Sequence, residues 1–223
     1  MTDIRSRLVS APEAVSDALS QDIYSMKFEP GSKITETDLA ERYCVSRNTV
    51  REAIARLLTC GILVKIANRG IYVKKMEHDD VVEIFRLRKM FELEAIARLS
   101  EMQYVPPQLV NVARELGSID LVNGWTHYVT VNMRFHSTLV DSVGSRRLSR
   151  LYATIASEVK LCVAQSRYIV NRQPENVDDH KPIMDALERE DGAEAARLLA
   201  EHLDNAVANL ECAFAAEVRR AQK

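Results

Sequence analysis

Three histidines and one asparagine stand on otherwise apolar helical stripes in the second half of the chain. Asn132 and His136 are four residues apart, which places them one turn apart on the same helix face. His180 and His202 each fall on the apolar stripe of a later helix. Because imidazole nitrogens are preferred ligands of transition metals, we predict that these four side chains bind a divalent metal such as Zn, Ni or Mn.

Less specific interpretations of these residues stay open. A single inward histidine is most often a hydrogen-bonded core residue, since a buried polar group without a partner costs roughly 1–3 kcal/mol. A bound metal could be purely structural, or it could activate water as in a helical-bundle hydrolase. No further Asp, Glu or His stands out as a general base. We therefore expect that the protein is not an enzyme.

An arginine interrupts the apolar stripe of the helix predicted over 79–102. Val81 and Ile84 define the stripe, and its periodicity points Arg88 inward. Two roles fit this position equally well. Arg88 pairs with Glu92 one turn later, or it clamps the carboxylate of a small organic acid beside the metal.

The charge of the chain is divided unevenly along its length. Residues 1–76 carry a formal net charge of +3 and residues 77–223 of −5. The segment 47–75 holds seven Lys or Arg and one Asp or Glu. A basic segment joined to an acidic remainder is typical of a nucleic-acid-binding module attached to a second domain. We therefore divide the chain into domains at 1–76 and 77–223.

Apolar spacing within the basic segment predicts two helices joined by a tight turn. With Val50 and Leu57 packed inward, the opposite face of the second helix presents Arg47, Asn48 and Arg51 in its first turns. Arg pairs with guanine and Asn with adenine in the major groove, where a recognition helix lies. We predict that these three side chains contact DNA.

The fold class predicted for the whole chain is mainly α. The N-terminal domain has the element order of a winged helix-turn-helix with a small β-hairpin wing, and the C-terminal domain reads as an antiparallel all-α bundle of about six helices. The stripe of Leu148, Leu151 and Ile155 is expected to face the bundle core. Predicted N-terminal helices cover 12–26, 36–43 and 47–60, and strands cover 62–66 and 70–74. Predicted C-terminal helices cover 79–102, 106–118, 124–143, 145–171, 179–190 and 192–220.

The sequence gives no indication of a membrane protein or a secreted protein. No apolar run approaches the roughly 18–20 residues that cross a bilayer, and the N-terminal MTDIRSRLVS lacks a signal-peptide core. Four cysteines without a CxxC pair argue against a zinc ribbon or a disulfide framework. We expect a cytoplasmic protein without a membrane partner.

The N-terminal domain resembles the GntR family of bacterial transcription regulators. The resemblance covers EPGSKITETDLAERYCVSRNTVREAIARLLTCGILVKIANRGIYV, with the recognition helix and the NRG wing tip. A homodimer that reads a palindromic, double-stranded operator is the corresponding assembly. The resemblance implies operator contacts from Arg47, Asn48, Thr49 and Arg51, and minor-groove contacts from Arg69 and Gly70.

The rest of the chain resembles the effector-binding FCD domain of the FadR subfamily, nearer its VanR-like branch. The patterns that carry the resemblance are N-x-x-x-H, H-x-P-I-x-x-A-L and A-x-x-x-x-x-H. Metal-binding members have an acid four residues before the first histidine, where this chain has Asn132. The resemblance implies a metal bound by Asn132, His136, His180 and His202, with open positions for water or an effector carboxylate.

Overall fold

The computed structural model describes residues 9–120, 124–170 and 180–221. Contacts within the chain divide it between Lys75 and Met76 into two compact units. The first unit combines three helices with a small sheet, and the second is a helical bundle. The structure therefore confirms the predicted fold class.

The sheet of the first unit has three antiparallel strands in the order β1-β3-β2. In chain order, the elements of the first unit are α1 (Ala11–Tyr24), β1 (Lys33–Ile34), α2 (Glu36–Tyr43), α3 (Arg47–Thr59), β2 (Leu63–Ile66) and β3 (Gly70–Val73). The sequence did not indicate β1, because two residues are too few to show an alternating pattern. Only the pairing of Lys33 with Tyr72 and of Ile34 with Ile71 defines this strand.

Local sequence signals set the ends of the helices in the first unit. The side chains of Ser10, Thr35 and Ser46 cap α1, α2 and α3 by accepting a backbone N–H three residues later. α2 ends at Tyr43, and the next residue, Cys44, has a φ of 54°, in the left-handed region that glycine adopts more readily. This tight turn leads directly into α3.

The core of the first unit lies between α1 and α3. Leu19 and Ile23 of α1 and Val50 and Ala53 of α3 are fully buried. One face of α3 is therefore fixed by packing, and its opposite face stays exposed. The predicted recognition residues lie on that exposed face.

The second unit consists of helices that pack against one another. α4 (His78–Met102) contacts α9 and α7, while α6 (Trp125–Asp141) contacts α7 and α5. The remaining helices of this unit in the described residues are α5 (Pro107–Gly117), α7 (Arg146–Val170), α8 (His180–Glu188) and α9 (Gly192–Ala221). The helix ends predicted at 171 and 179 lie outside the described residues. Within the described part of the chain, no helix has both the length and the apolarity to span a membrane.

α7 presents a different side chain to the core from the one predicted. Leu151 is 57% exposed, whereas its neighbour Tyr152 is 2% exposed. Both residues lie about one turn after Leu148, so a period of about 3.6 residues does not distinguish them. The packing of α7 against α4 and α6 decides in favour of Tyr152.

Asp22 links α1 to α2 within the first unit. Its carboxylate accepts hydrogen bonds from Lys27 at 2.7 Å, Arg42 at 3.1 Å and Tyr43 at 2.9 Å. Burial alone would raise the pKa of Asp22, but the bonds from Lys27, Tyr43 and Arg42 lower the pKa below its ordinary value. The ionised carboxylate therefore stabilises this unit.

Asp22→Asn should lower the free energy of unfolding of the first unit by about 1–3 kcal/mol, because hydrogen bonds to a charged group are lost. Since the folded pKa is lowered, this contribution is complete above the unfolded-state pKa of about 3.9 and disappears as the pH falls through the folded pKa. Urea denaturation at neutral and acidic pH measures the loss, and hydrogen exchange locates it in residues 11–59. Asp17→Asn, an exposed change on the same helix, should leave both measurements unchanged.

Candidate functional site

Three histidine rings meet inside the second unit. His136 of α6 and His180 at the start of α8 are buried, and His202 of α9 is half-buried. One ring nitrogen from each lies within 4.8 Å of the other two. The Nε2 atoms of His136 and His180 are 3.2 Å apart. Among the described residues, this is the one group of three or more His, Cys, Asp or Glu side chains with such spacing.

The histidine group is held by packing on several sides. The rings of His136 and His202 stack with centroids 5.3 Å apart and an interplanar angle of 19°. Phe135 lies edge-on against His136 and His180, at centroid distances of 5.1 and 4.9 Å. These contacts restrict ring rotation, so the nitrogens keep their mutual placement.

A buried carboxylate from α4 orients the first of these rings. Glu92 is fully buried, and its Oε2 accepts a hydrogen bond from Nδ1 of His136 at 2.7 Å. Its Oε1 accepts from Nε of Arg88 at 2.6 Å and from the hydroxyl of Tyr152 at 2.7 Å. With the proton of His136 on Nδ1, its Nε2 presents a lone pair towards His180.

The charge states of these groups follow from burial and from the neighbouring arginine. Burial lowers the pKa of His136 to about 3, and the charge of Arg88 adds to the effect. Burial also lowers the pKa of His180, together with His202. For Glu92, burial alone would raise the pKa, but Arg88 and the bond from His136 hold it well below its usual range. At neutral pH the two buried imidazoles are therefore uncharged, which is the form that binds metals.

Arg88 is placed inward, as the stripe on α4 predicted, with 1% of its surface exposed. It forms the ion pair with Glu92 that the sequence offered as one of two roles. Its Nη2 atom has no hydrogen-bond partner among the described residues. A buried guanidinium donor without an acceptor is costly, so this atom is available to an anion that enters the cluster.

The structure brings together most of the side chains that the sequence singled out for the pocket. The three histidines and Arg88 share one cluster, and Asn132 is buried one turn before His136 on the same helix. Sequence reasoning treated Glu92 only as a partner for Arg88 and missed Tyr152. The spacing of Tyr152, Val159 and Cys162 on α7 was the available signal.

The predicted DNA-reading residues lie at the start of α3. Arg47, Asn48 and Arg51 are exposed, while Thr49 is half-buried with its hydroxyl 2.9 Å from that of Ser46. The sequence did not anticipate that acidic side chains engage two of them.

Both acidic contacts are made at ordinary hydrogen-bond distances. Nε and Nη2 of Arg51 donate to the two carboxylate oxygens of Glu36 at 3.1 and 2.8 Å. Nδ2 of Asn48 donates to Glu52 at 2.9 Å. These partners hold the two side chains in defined positions on the surface of α3.

The turn between β2 and β3 forms the tip of the wing. Arg69 is exposed there, and Gly70 begins β3 with a φ of +116°. A Cβ atom at Gly70 would lie 3.2 Å from Cε of Lys33 on the neighbouring strand. Glycine is therefore required by the backbone at this point of the wing.

Two family models match the chain and together span both units. The model "Bacterial regulatory proteins, gntR family" matches residues 12–73. The model "FCD domain" matches residues 83–205, which is more than half of the chain.

Several curated proteins and solved structures are similar over most of the chain. The HTH-type transcriptional regulator YdhC of Bacillus subtilis is 25% identical, covering 84% of this chain and 85% of that protein. BphR of Paraburkholderia xenovorans, also an HTH-type transcriptional regulator, is 28% identical over 87% and 83%. A GntR regulator from Rhodococcus sp. RHA1 shares the fold with a TM-score of 0.77 and 24% identity, covering 91% of this chain and 98% of that one.

Proposed function

The chain belongs to the gntR family of bacterial regulatory proteins and carries an FCD effector-binding domain, and we propose that it binds a palindromic operator as a homodimer and senses a small organic acid at a metal-containing pocket. The convergence of three histidines beside a buried arginine is the observation that carries the sensing half. The six helices of the second unit in the described residues support placing it in the VanR-like branch. Because its target is DNA, we place the protein in the cytoplasm.

The matched families and relatives are transcription regulators, which confirms that this chain is not an enzyme. The hydrolase interpretation of the histidines is therefore dropped. The choice that remains is between a sensing metal and a structural one.

For operator recognition we assign the exposed face of α3 to the major groove. Arg47, Asn48, Thr49 and Arg51 would contact base edges and phosphates, since they occupy the first turns of a capped helix whose other face is buried. Arg69 and Gly70 at the wing tip would enter the minor groove, where an exposed arginine is drawn to negative potential.

Arg51→Ala should weaken binding to the operator by roughly 1–3 kcal/mol, because a bidentate guanidinium contact to DNA is lost. Gel-shift titration with a duplex selected from a random pool by the wild-type protein measures the loss. A random-sequence duplex of the same length should show a much smaller change.

Two controls separate base reading from general charge effects. Arg56→Ala removes an equal charge from the last turn of α3 and should affect both duplexes only slightly. Lys75→Ala should weaken both duplexes alike and reduce the salt dependence. Undiminished operator binding by Arg51→Ala would exclude this placement of the recognition helix.

We assign the dimer interface to the second unit. Met90 of α4 and Leu151 of α7 are 65% and 57% exposed, and the two helices pack against each other. Leu87, 37% exposed, lies three residues before Met90 on the same face of α4. A second copy of the chain would cover these side chains around a two-fold axis.

Light scattering should give a mass of twice the 25.2 kDa of the chain. Met90→Lys should produce monomer, because burying an unpaired charge in an interface is unfavourable. Met102→Lys, also an exposed position on α4, should stay dimeric. A wild-type monomer at micromolar concentration would contradict the assembly.

The residues present fit a divalent metal. His136, His180 and His202 each offer a ring nitrogen within reach of a common centre, and Glu92 already holds the other nitrogen of His136. Asn132, buried one turn before His136 on the same helix, would act as a fourth ligand or orient the group. When bound, a metal would supply a positive centre with open positions for an anionic oxygen.

The same cluster offers a partner for the other end of an organic acid. Nη2 of Arg88 is a buried donor without an acceptor among the described residues. An effector carboxylate would provide that acceptor. A difference of only about 1–3 kcal/mol in effector binding between two states is enough to change operator affinity.

Protein purified without chelators or a metal column should contain one divalent metal per chain by elemental analysis. His180→Ala should lose the metal and the response to effector, because one imidazole ligand is removed, yet retain DNA binding through the separate first unit. His127→Ala, an exposed histidine on α6, is the matched control.

Chelation separates a sensing metal from a structural one. If the metal is structural, chelator lowers the melting temperature and leaves the effect of ligands on DNA binding unchanged. A metal-free protein whose three histidines can each be replaced without altering the ligand response would contradict the proposal.

A further inference from the structure

The predicted set of metal ligands in the pocket carries no negative charge. These ligands are the imidazoles of His136, His180 and His202 and the amide of Asn132, and neither imidazole nor amide brings a negative charge to a metal. No carboxylate of the described residues belongs to the histidine group. A divalent cation would therefore meet only neutral ligands.

The nearest buried charges do not alter this balance. Arg88 and Glu92 form an ion pair at 2.6 Å, with 1% and 0% of their surfaces exposed, so their charges cancel. Glu92 is also fully engaged, since Oε1 accepts from Arg88 and Tyr152 and Oε2 accepts from His136. It cannot turn towards a metal without leaving Arg88 buried and unpaired.

A cation in such a site carries two uncompensated charges in a buried environment. Charge of this kind is strongly unfavourable unless it is paired. An anionic oxygen that reaches the metal would neutralise part of this positive charge. The same anion would satisfy Nη2 of Arg88, the donor that lacks a partner among the described residues.

We infer that the metal and a small carboxylate bind this pocket cooperatively, so that the carboxylate effector itself determines whether the metal is held. This rests on the proposed function and adds its regulation: occupancy of the metal becomes part of the signal. By thermodynamic linkage, the metal raises carboxylate affinity by the same factor. Asn132 is the residue that creates the dependence, because an acid at this buried position would supply the missing charge.

The test measures the affinity of the metal-free, full-length protein for Zn²⁺ by competition with a chromophoric chelator at neutral pH. Acetate is the probe anion, and acetamide is its neutral analogue of similar shape. In the wild type, acetate should tighten Zn²⁺ binding by roughly 5- to 150-fold, the usual range of coupling between sites. Acetamide should have no effect.

Two substitutions at one position complete the test. Asn132→Asp should bind Zn²⁺ more tightly than the wild type without acetate, and most of the acetate effect should disappear. Asn132→Ala, which is neutral, should keep the acetate effect and shows that the charge, rather than the substitution, is responsible. An equal acetate effect in wild type and Asn132→Asp would overturn the inference, as would none in the wild type.

The outcomes also distinguish this inference from the proposed function. Zn²⁺ binding that requires His180 and ignores acetate would leave the metal pocket in place and reject the coupling alone. Absence of Zn²⁺ binding with and without acetate would reject both.

Discussion

The carboxylate of Glu92 is the interaction on which the second unit depends. It lies fully buried and receives hydrogen bonds from three residues on three helices, Arg88 of α4, His136 of α6 and Tyr152 of α7. A buried ion pair is tolerated only when its remaining hydrogen-bonding positions are also satisfied. Loss of this one carboxylate would leave a charged guanidinium in the core and release the ring of His136. Stability of the bundle and geometry of the pocket therefore rest on the same atoms.

Electrostatic contacts on the exposed face of α3 in the first unit differ from those of the buried pocket. The bidentate pair between Arg51 and Glu36 is solvent-exposed, and exposed ion pairs contribute only about 0–1 kcal/mol. Such a pair can orient a guanidinium in the free protein and still exchange it for a base or a phosphate at little cost. The bond between Asn48 and Glu52 has the same character. Burial thus makes the pocket rigid, and exposure leaves the reading face exchangeable.

The two units position their functional side chains by different kinds of interaction. In the first, hydroxyl caps and the left-handed residue Cys44 set helix ends, and the core between α1 and α3 turns one face of α3 outward. In the second, hydrogen bonds between distant residues organise a polar cluster inside an apolar bundle. A regulator needs both, since DNA recognition requires a presented surface and effector sensing requires a shielded one.

Local patterns in the sequence were sufficient for the helices, the tight turn, the wing and the inward position of Arg88. Capping residues, glycine positions and apolar periodicity act within a few residues, so the chain carries these signals without reference to its fold. The sequence did not predict the short strand β1, because this strand is defined only by its pairing with β3. Leu151 and Tyr152 were interchanged because helical spacing allows either, and only the neighbouring helices select one.

The sequence also proposed the three histidines, yet their meeting was decided by tertiary structure. His136 and His180 are 44 residues apart, as are His136 and Glu92. No local signal relates such positions, because their distance depends on how α4, α6, α8 and α9 pack. The same packing placed Tyr152 on Glu92 and left Nη2 of Arg88 without an acceptor among the described residues. Residue types thus indicated which chemistry was available, and the long-range packing of the bundle determined which atoms could perform it together.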